Sequence, residues 1–182
     1  MNRLFWSAAA ALLAIAVHAA FMLVVPSYAL QRSVARISGY SDANAFFVLP
    51  LEEQSRLFPS YPKFSVVGLC AFDVSNSKLD LSASLPPGYW TLTIYSSAGD
   101  VIYALNDRQS GTSTFTVNVS RAPGLVEMLT QPAQDDLAST TGWSVKASDP
   151  TGFAVLWQPV SDPGLRAKVV QAFEKSSCKV SS

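Results

Sequence analysis

The feature that most constrains this chain is an uninterrupted apolar segment at its start, LFWSAAAALLAIAVHAAFMLVV, which runs from Leu4 to Val25 without a formal charge. A helix rises about 1.5 Å per residue, so this stretch spans roughly 33 Å, enough to cross about 30 Å of hydrocarbon. A cleavable signal peptide is the alternative: Ser27-Tyr28-Ala29 places small residues where a signal peptidase reads, which would leave Leu30 as the mature N-terminus. Signal peptides carry shorter apolar cores, about 7 to 15 residues. The extra length favours a retained anchor, with secretion after cleavage as the alternative. Arg3 precedes the segment and Arg32 and Arg36 follow it, so charge bias does not set the orientation. His18, within the segment, has no ionisable partner there and reads as a neutral imidazole.

Removing that segment leaves a chain long enough for one domain with a sizeable core. The reading divides the chain into residues 1–26 as transmembrane anchor or signal peptide, 27–63 as a partly helical connector, and 64–182 as a β domain with a terminal helix. Composition then excludes function classes. Thirteen basic residues against 13 acidic ones leave no basic field for a phosphate backbone, so no nucleic-acid partner is expected. The hydrophobic share of 49% is too high for a disordered chain. One His and two Cys cannot supply a side-chain zinc, haem or iron–sulfur site, so no metal and no cofactor is expected.

The two cysteines, Cys70 and Cys178, have no CxxC spacing and read as one disulfide in an exported domain. Two unrelated buried thiols are the alternative. The bond argues for placement of the domain in the periplasm, with the chain as a single-pass inner-membrane protein.

Along the exported part, a helical stretch is expected from Tyr28 to Ser38. Pro50, Pro59 and Pro62 then prevent a long helix in the connector. From Ser65 the period changes: SVVGLCAFDV suits a buried strand, and KLDLSAS puts Leu79, Leu81 and Ala83 on one face. After the Leu85-Pro86-Pro87-Gly88 turn, YWTLTIYSS sets Trp90, Leu92 and Ile94 inward, and Ala98-Gly99-Asp100 closes a hairpin with VIYAL. TFTVNVS is a further strand. GWSVKAS and GFAVLWQPV read as a second hairpin closed by Asp149-Pro150-Thr151-Gly152, and Leu125 to Leu129 reads as a short helix or a loop. In the tail, Asp162 is the expected N-cap, with Pro163 at the first helical position. Leu165, Val169, Ala172 and Phe173 form the apolar stripe of a helix ending at Cys178, while Arg166, Lys168 and Lys175 face water. These elements predict a mainly β fold: an antiparallel β-sandwich or small barrel with a C-terminal helix, preceded by one N-terminal transmembrane helix.

GYWTLTIYSSAGDVIYALNDR, from Gly88 to Arg108, together with CAFDVS at Cys70 to Ser75 and the apolar N-terminus, resembles the small integral membrane proteins of proteobacteria that share the domain of unknown function 1254; family 1214 is similar in the same stretch. The sequence departs from that pattern at Ser96, where an acidic residue commonly follows the tyrosine matching Tyr95. The resemblance implies a membrane-tethered β domain of unassigned biochemistry. It brings no catalytic residues.

Two constellations are candidate ligand-binding sites. Asn106-Asp107-Arg108 offers a guanidinium fork beside a carboxylate, which suits an anion; a polar loop after a hairpin uses the same residues. Trp90, Tyr95 and Tyr103, with Tyr89, suit a carbohydrate or lipid-headgroup surface, although aromatic cross-strand pairs also stabilise sheets. No histidine outside the anchor and no SxxK spacing serve nucleophilic catalysis, so no catalytic residue is assigned. The function expected is that of a non-enzymatic, membrane-anchored periplasmic domain that binds or scaffolds an envelope component, a protein or a glycan. The alternative is a tethered hydrolase or carbohydrate-active enzyme using two of Asp73, Asp80, Asp100 and Asp107, which would have to lie about 5 to 9 Å apart.

Overall fold

A computed structural model describes residues 2–37, 39, 42–124, 142–160 and 162–181. The stretch from Leu125 to Leu129 lies outside the described residues. The element order is α1 (Asn2–Ile37), β1 (Ala45–Val48), α2 (Leu51–Leu57), β2 (Ser65–Asp73), β3 (Lys78–Ser84), β4 (Thr91–Ser96), β5 (Val101–Asn106), α3 (Asp107–Ser110), β6 (Thr114–Arg121), β7 (Trp143–Ala147), β8 (Thr151–Pro159), a 3-10 turn (Pro163–Leu165), α4 (Arg166–Glu174) and β9 (Ser177–Ser181). Within α1, Phe5–Val24 is long and apolar enough to cross a membrane, and none of it is buried against the rest of the chain. A retained anchor and a signal sequence both meet that description. α1 continues to Ile37, so the helical stretch expected after Tyr28 is the end of the same helix.

The fold is mainly β and packs two sheets face to face. One sheet has the strand order β1-β2-β8-β4-β5 and the other β7-β6-β3-β9. Alternation in the sequence explains the layers. Leu79, Leu81 and Ala83 of β3, Phe115, Val117 and Val119 of β6, and Trp90, Leu92 and Ile94 at β4 all point into the space between the sheets. Trp90 stacks on Phe115 there, with ring centroids 4.7 Å apart. β2 and β8 are apolar on both faces. Val66, Cys70 and Phe72 point inward with Ala154 and Leu156, whereas Val67, Leu69, Phe153 and Val155 form a second cluster on the outer face. A strand buried on both sides belongs in the middle of a sheet, and β8 lies between β2 and β4.

That property corrects the second hairpin. β7 and β8 do not pair: β8 joins the five-stranded sheet, and β7 runs parallel to β6 in the other, with Trp143 opposite Val117. β7 buries only one face and suits an edge, so the chain crosses between the sheets at residues 148–150. All other strand pairs are antiparallel.

The tail differs as well. Asp162 caps as expected, its Oδ1 accepting from Gly164 N at 2.8 Å. The first turn is 3-10, and the α-helix ends at Glu174. Cys178 therefore sits on a strand, β9, opposite Leu81 of β3, and not at the end of a helix. It is bonded to Cys70 of β2, Cα to Cα 6.4 Å, and so links the two sheets. α4 closes the neighbouring edge of the sandwich with Val169 and Phe173. Gly68 makes room for it: a Cβ there would lie 2.3 Å from the Phe46 ring and 3.0 Å from that of Phe173.

Segments read from sequence as connector also enter the fold. β1 adds a strand beside β2, with Ala45 opposite Ala71. The chain arrives there through Asn44, which takes a left-handed φ of 62° that asparagine tolerates. Asn44 Oδ1 accepts from Asp73 N at 3.0 Å. The chain coming from α1 thus enters at the end of the sandwich where β2 finishes and β8 begins.

Candidate functional site

The polar triplet after β5 is engaged in local structure. Asn106 Oδ1 accepts from Gln109 N at 2.9 Å while Gln109 Oε1 accepts from Asn106 N at 3.2 Å, a reciprocal cap on α3. Asp107 N donates to Trp90 O at 3.2 Å, and Asp107 Oδ1 is enclosed with no hydrogen-bond partner among the described residues. Arg108 is exposed and makes no ion pair with Asp107. At Ser96, where the sequence departs from the family pattern, the side chain is buried and its Oγ accepts from Asp100 N at 3.1 Å, holding the β4–β5 turn.

The aromatic candidates separate onto two faces. Trp90 is 1% exposed and belongs to the core. Tyr103 is partly buried against the same core, and this burial raises its phenol above the ordinary tyrosine pKa. Tyr95 points outward and stacks on Phe153 at 4.9 Å. No single surface carries Trp90, Tyr95 and Tyr103 together.

The outer face of the five-stranded sheet carries a different aromatic row. Phe58 stacks on Tyr61 at 5.1 Å, Tyr61 meets Trp157 at 5.3 Å, and Trp157 meets Tyr89 edge-on at 5.9 Å. The short helix α2, bounded by Pro50 and Pro59, and the turn after it lay Phe58 and Tyr61 over β8. Buried Gln54 fixes them from below, its Nε2 donating to Ser65 Oγ, which in turn donates to Pro62 O at 2.7 Å. Burial, and secondarily the neighbouring Tyr95, push the Tyr61 phenol above its ordinary pKa.

Tyr89 leads this row into two adjoining clefts that share Phe64 and Val160, one of about 630 Å³ and one of about 280 Å³. They open where β2 begins and β8 ends. Nine residues of β2 at about 3.3 Å each separate this end, by roughly 30 Å, from the end at which the chain arrives from α1. The walls are pinned by Val160 N donating to Phe64 O at 2.8 Å, Gln158 Nε2 to Pro86 O at 3.2 Å, and Arg166 Nη1 to Ser65 O. Leu165, expected on the buried stripe of the terminal helix, is instead 49% exposed and lines the larger cleft. The 3-10 turn advances about 3 residues per turn where the α-helix advances 3.6, which puts Leu165 out of phase with Val169 and Phe173. Phe64, Trp157 and Lys63 are the other residues of this region that sequence reasoning did not single out, and Lys168 was read only as facing water. A large apolar side chain between Pro62 and β2, at Phe64, was the available signal.

No group of three or more metal-ligating side chains occurs among the described residues. Asp73 ends β2, Asp80 lies on β3, Asp100 follows the β4–β5 turn, and Asp107 starts α3. None of the four lines either cleft.

The chain is similar in fold to the VPA0106 protein from Vibrio parahaemolyticus, with a TM-score of 0.58 and 13% identity over 85% of this chain. It is also similar, at a TM-score of 0.47 and 10% identity over 77% of this chain, to an uncharacterized protein from Burkholderia cenocepacia. The chain spans about a third of the length of each, 35% in both. No family model and no curated protein matches it.

Proposed function

We propose that the chain is a membrane-anchored domain of the bacterial periplasm that binds another envelope component through the clefts at the end remote from its anchor. The observation that carries this is the placement of exposed apolar side chains. Outside α1, six large hydrophobic residues are exposed among the described residues, and four of them, Leu51, Phe64, Tyr89 and Leu165, line the two clefts. Apolar area gathered at one place on an otherwise covered domain marks a contact site, whereas scattered single residues do not. The disulfide supports an oxidising compartment, and the apolar helix supports attachment to the inner membrane. The hydrolase reading needs two carboxylates in a pocket, and among the described residues no carboxylate lines either cleft.

Native electrophoresis of mildly solubilised membranes tests the proposal. The wild-type chain should migrate in a complex well above its own 19.5 kDa. Leu165→Asp and Phe64→Ser should release it, and Val101→Ser, at the exposed apolar residue on β5, should not. Identical migration of all four chains would refute docking at the clefts.

A further inference from the structure

We infer that the clefts receive an acidic peptide segment of a partner protein, its large apolar side chains seated among Phe64, Tyr89 and Leu165 and its carboxylates on Lys63, Arg166 and Lys168. This rests on the docking reading above and adds the chemistry of the partner. Across the chain acids and bases balance at 13 each, yet among the described residues those lining the two clefts include these three cations and no acid. Among the described residues no carboxylate pairs with any of the three. Arg166 is oriented by its bond to Ser65 O, and Lys63 and Lys168 are exposed.

The walls explain why side-chain cations would do the recognition. Pro62, Pro86, Pro87, Pro159 and Pro163 line them and have no N–H to offer an anion. Their fixed φ also makes the surface rigid, so little ordering entropy is lost when a ligand enters. A neutral glycan would find few polar partners here, because Gln158 donates its Nε2 to Pro86 O and keeps only an enclosed Oε1 without a partner among the described residues. A bilayer lipid is disfavoured by position, since the clefts open at the end of the sandwich opposite the chain's entry from α1. An acidic, apolar peptide satisfies the charge, the lining and the location together.

The test uses the full chain in phosphatidylcholine nanodiscs and fluorescently labelled short peptides, each with one Leu-Trp pair and flanked by glutamates, lysines or serines. Fluorescence anisotropy should show the glutamate peptide binding at least about tenfold more tightly than the lysine peptide. That preference should shrink as salt is raised. Lys63→Glu combined with Lys168→Glu should reverse it, and the milder pair Lys63→Gln with Lys168→Gln should abolish it while the melting temperature holds. Equal binding of the three peptides overturns the inference, as does displacement of the glutamate peptide by phosphatidylglycerol vesicles, which would point to a lipid. If Leu165→Asp releases the native complex but no peptide binds, the acidic-peptide inference falls and the docking reading stands. If the complex survives that variant and no peptide binds, both fall.

Discussion

Gly152 stands on β8 opposite Phe72 and Ser96, with strands on both sides. A Cβ at this position would lie 2.3 Å from Tyr95 O, a main-chain atom that cannot move without breaking the sheet. Gly152→Ala is therefore expected to destabilise the domain by about 1 to 3 kcal/mol, seen as a lower midpoint in denaturant. Trp90→Ala empties the centre of the core and should cost about 3 to 5 kcal/mol; an unchanged melting temperature would contradict the packing on Phe115. Tyr61 gives a pH signature. Its pKa is raised above the ordinary 10.0 by burial first and Tyr95 second, so the folded chain holds the phenolic proton more tightly than the unfolded chain. That contribution is complete below pH 10 and is lost as pH climbs through the raised value. Tyr61→Phe should remove part of the alkaline loss of stability in a denaturation series across that range. At this scale the inward set Trp90, Leu92 and Ile94 was legible, because strict alternation leaves a strand only two faces. The exposure of Leu165 and Phe64 was not, since it depends on what the fold places around them.

Among the elements, the disulfide joins β2 and β9, which belong to different sheets. Cys70 and Cys178 are 108 residues apart, so the cross-link limits a long loop in the unfolded chain, worth about 4 to 5 kcal/mol on the chain-entropy account. Cys178→Ser should lower stability by that order. In hydrogen exchange, α4 and β9 should lose protection before β2 and β8, which are held from both sides. Exchange that rises equally everywhere would show that β9 needs no clamp. The pairing was legible from two cysteines without CxxC spacing, yet its setting was not. β9 is a five-residue strand directly after α4, and KVS carries no alternation strong enough to separate it from a helix end. The β7–β8 turn misled for a related reason: Asp149-Pro150-Thr151-Gly152 has hairpin composition, but β8 is apolar on both faces and is drawn to the middle of the other sheet.

At the scale of the whole molecule, the chain enters the disulfide-linked sandwich at one end and the two clefts open at the other. The apolar N-terminal helix was the easiest part to read, being one continuous stretch. The clefts were the hardest, because their lining comes from the connector, the turn before β4, the end of β8 and the start of α4, which only the fold brings together. If the sandwich lies outside the cytoplasm, a reporter fused after Ser182 that fluoresces only in the cytosol should stay dark. The central claim, that the end of the sandwich carrying the clefts is where a partner docks, is tested most directly by placing a photo-crosslinking side chain at Leu165 in intact cells, with Val101 as the control position. The account predicts a discrete crosslinked product from Leu165 that is lost with Phe64→Ser and absent from Val101. No product from Leu165, or the same products from both positions, would contradict it.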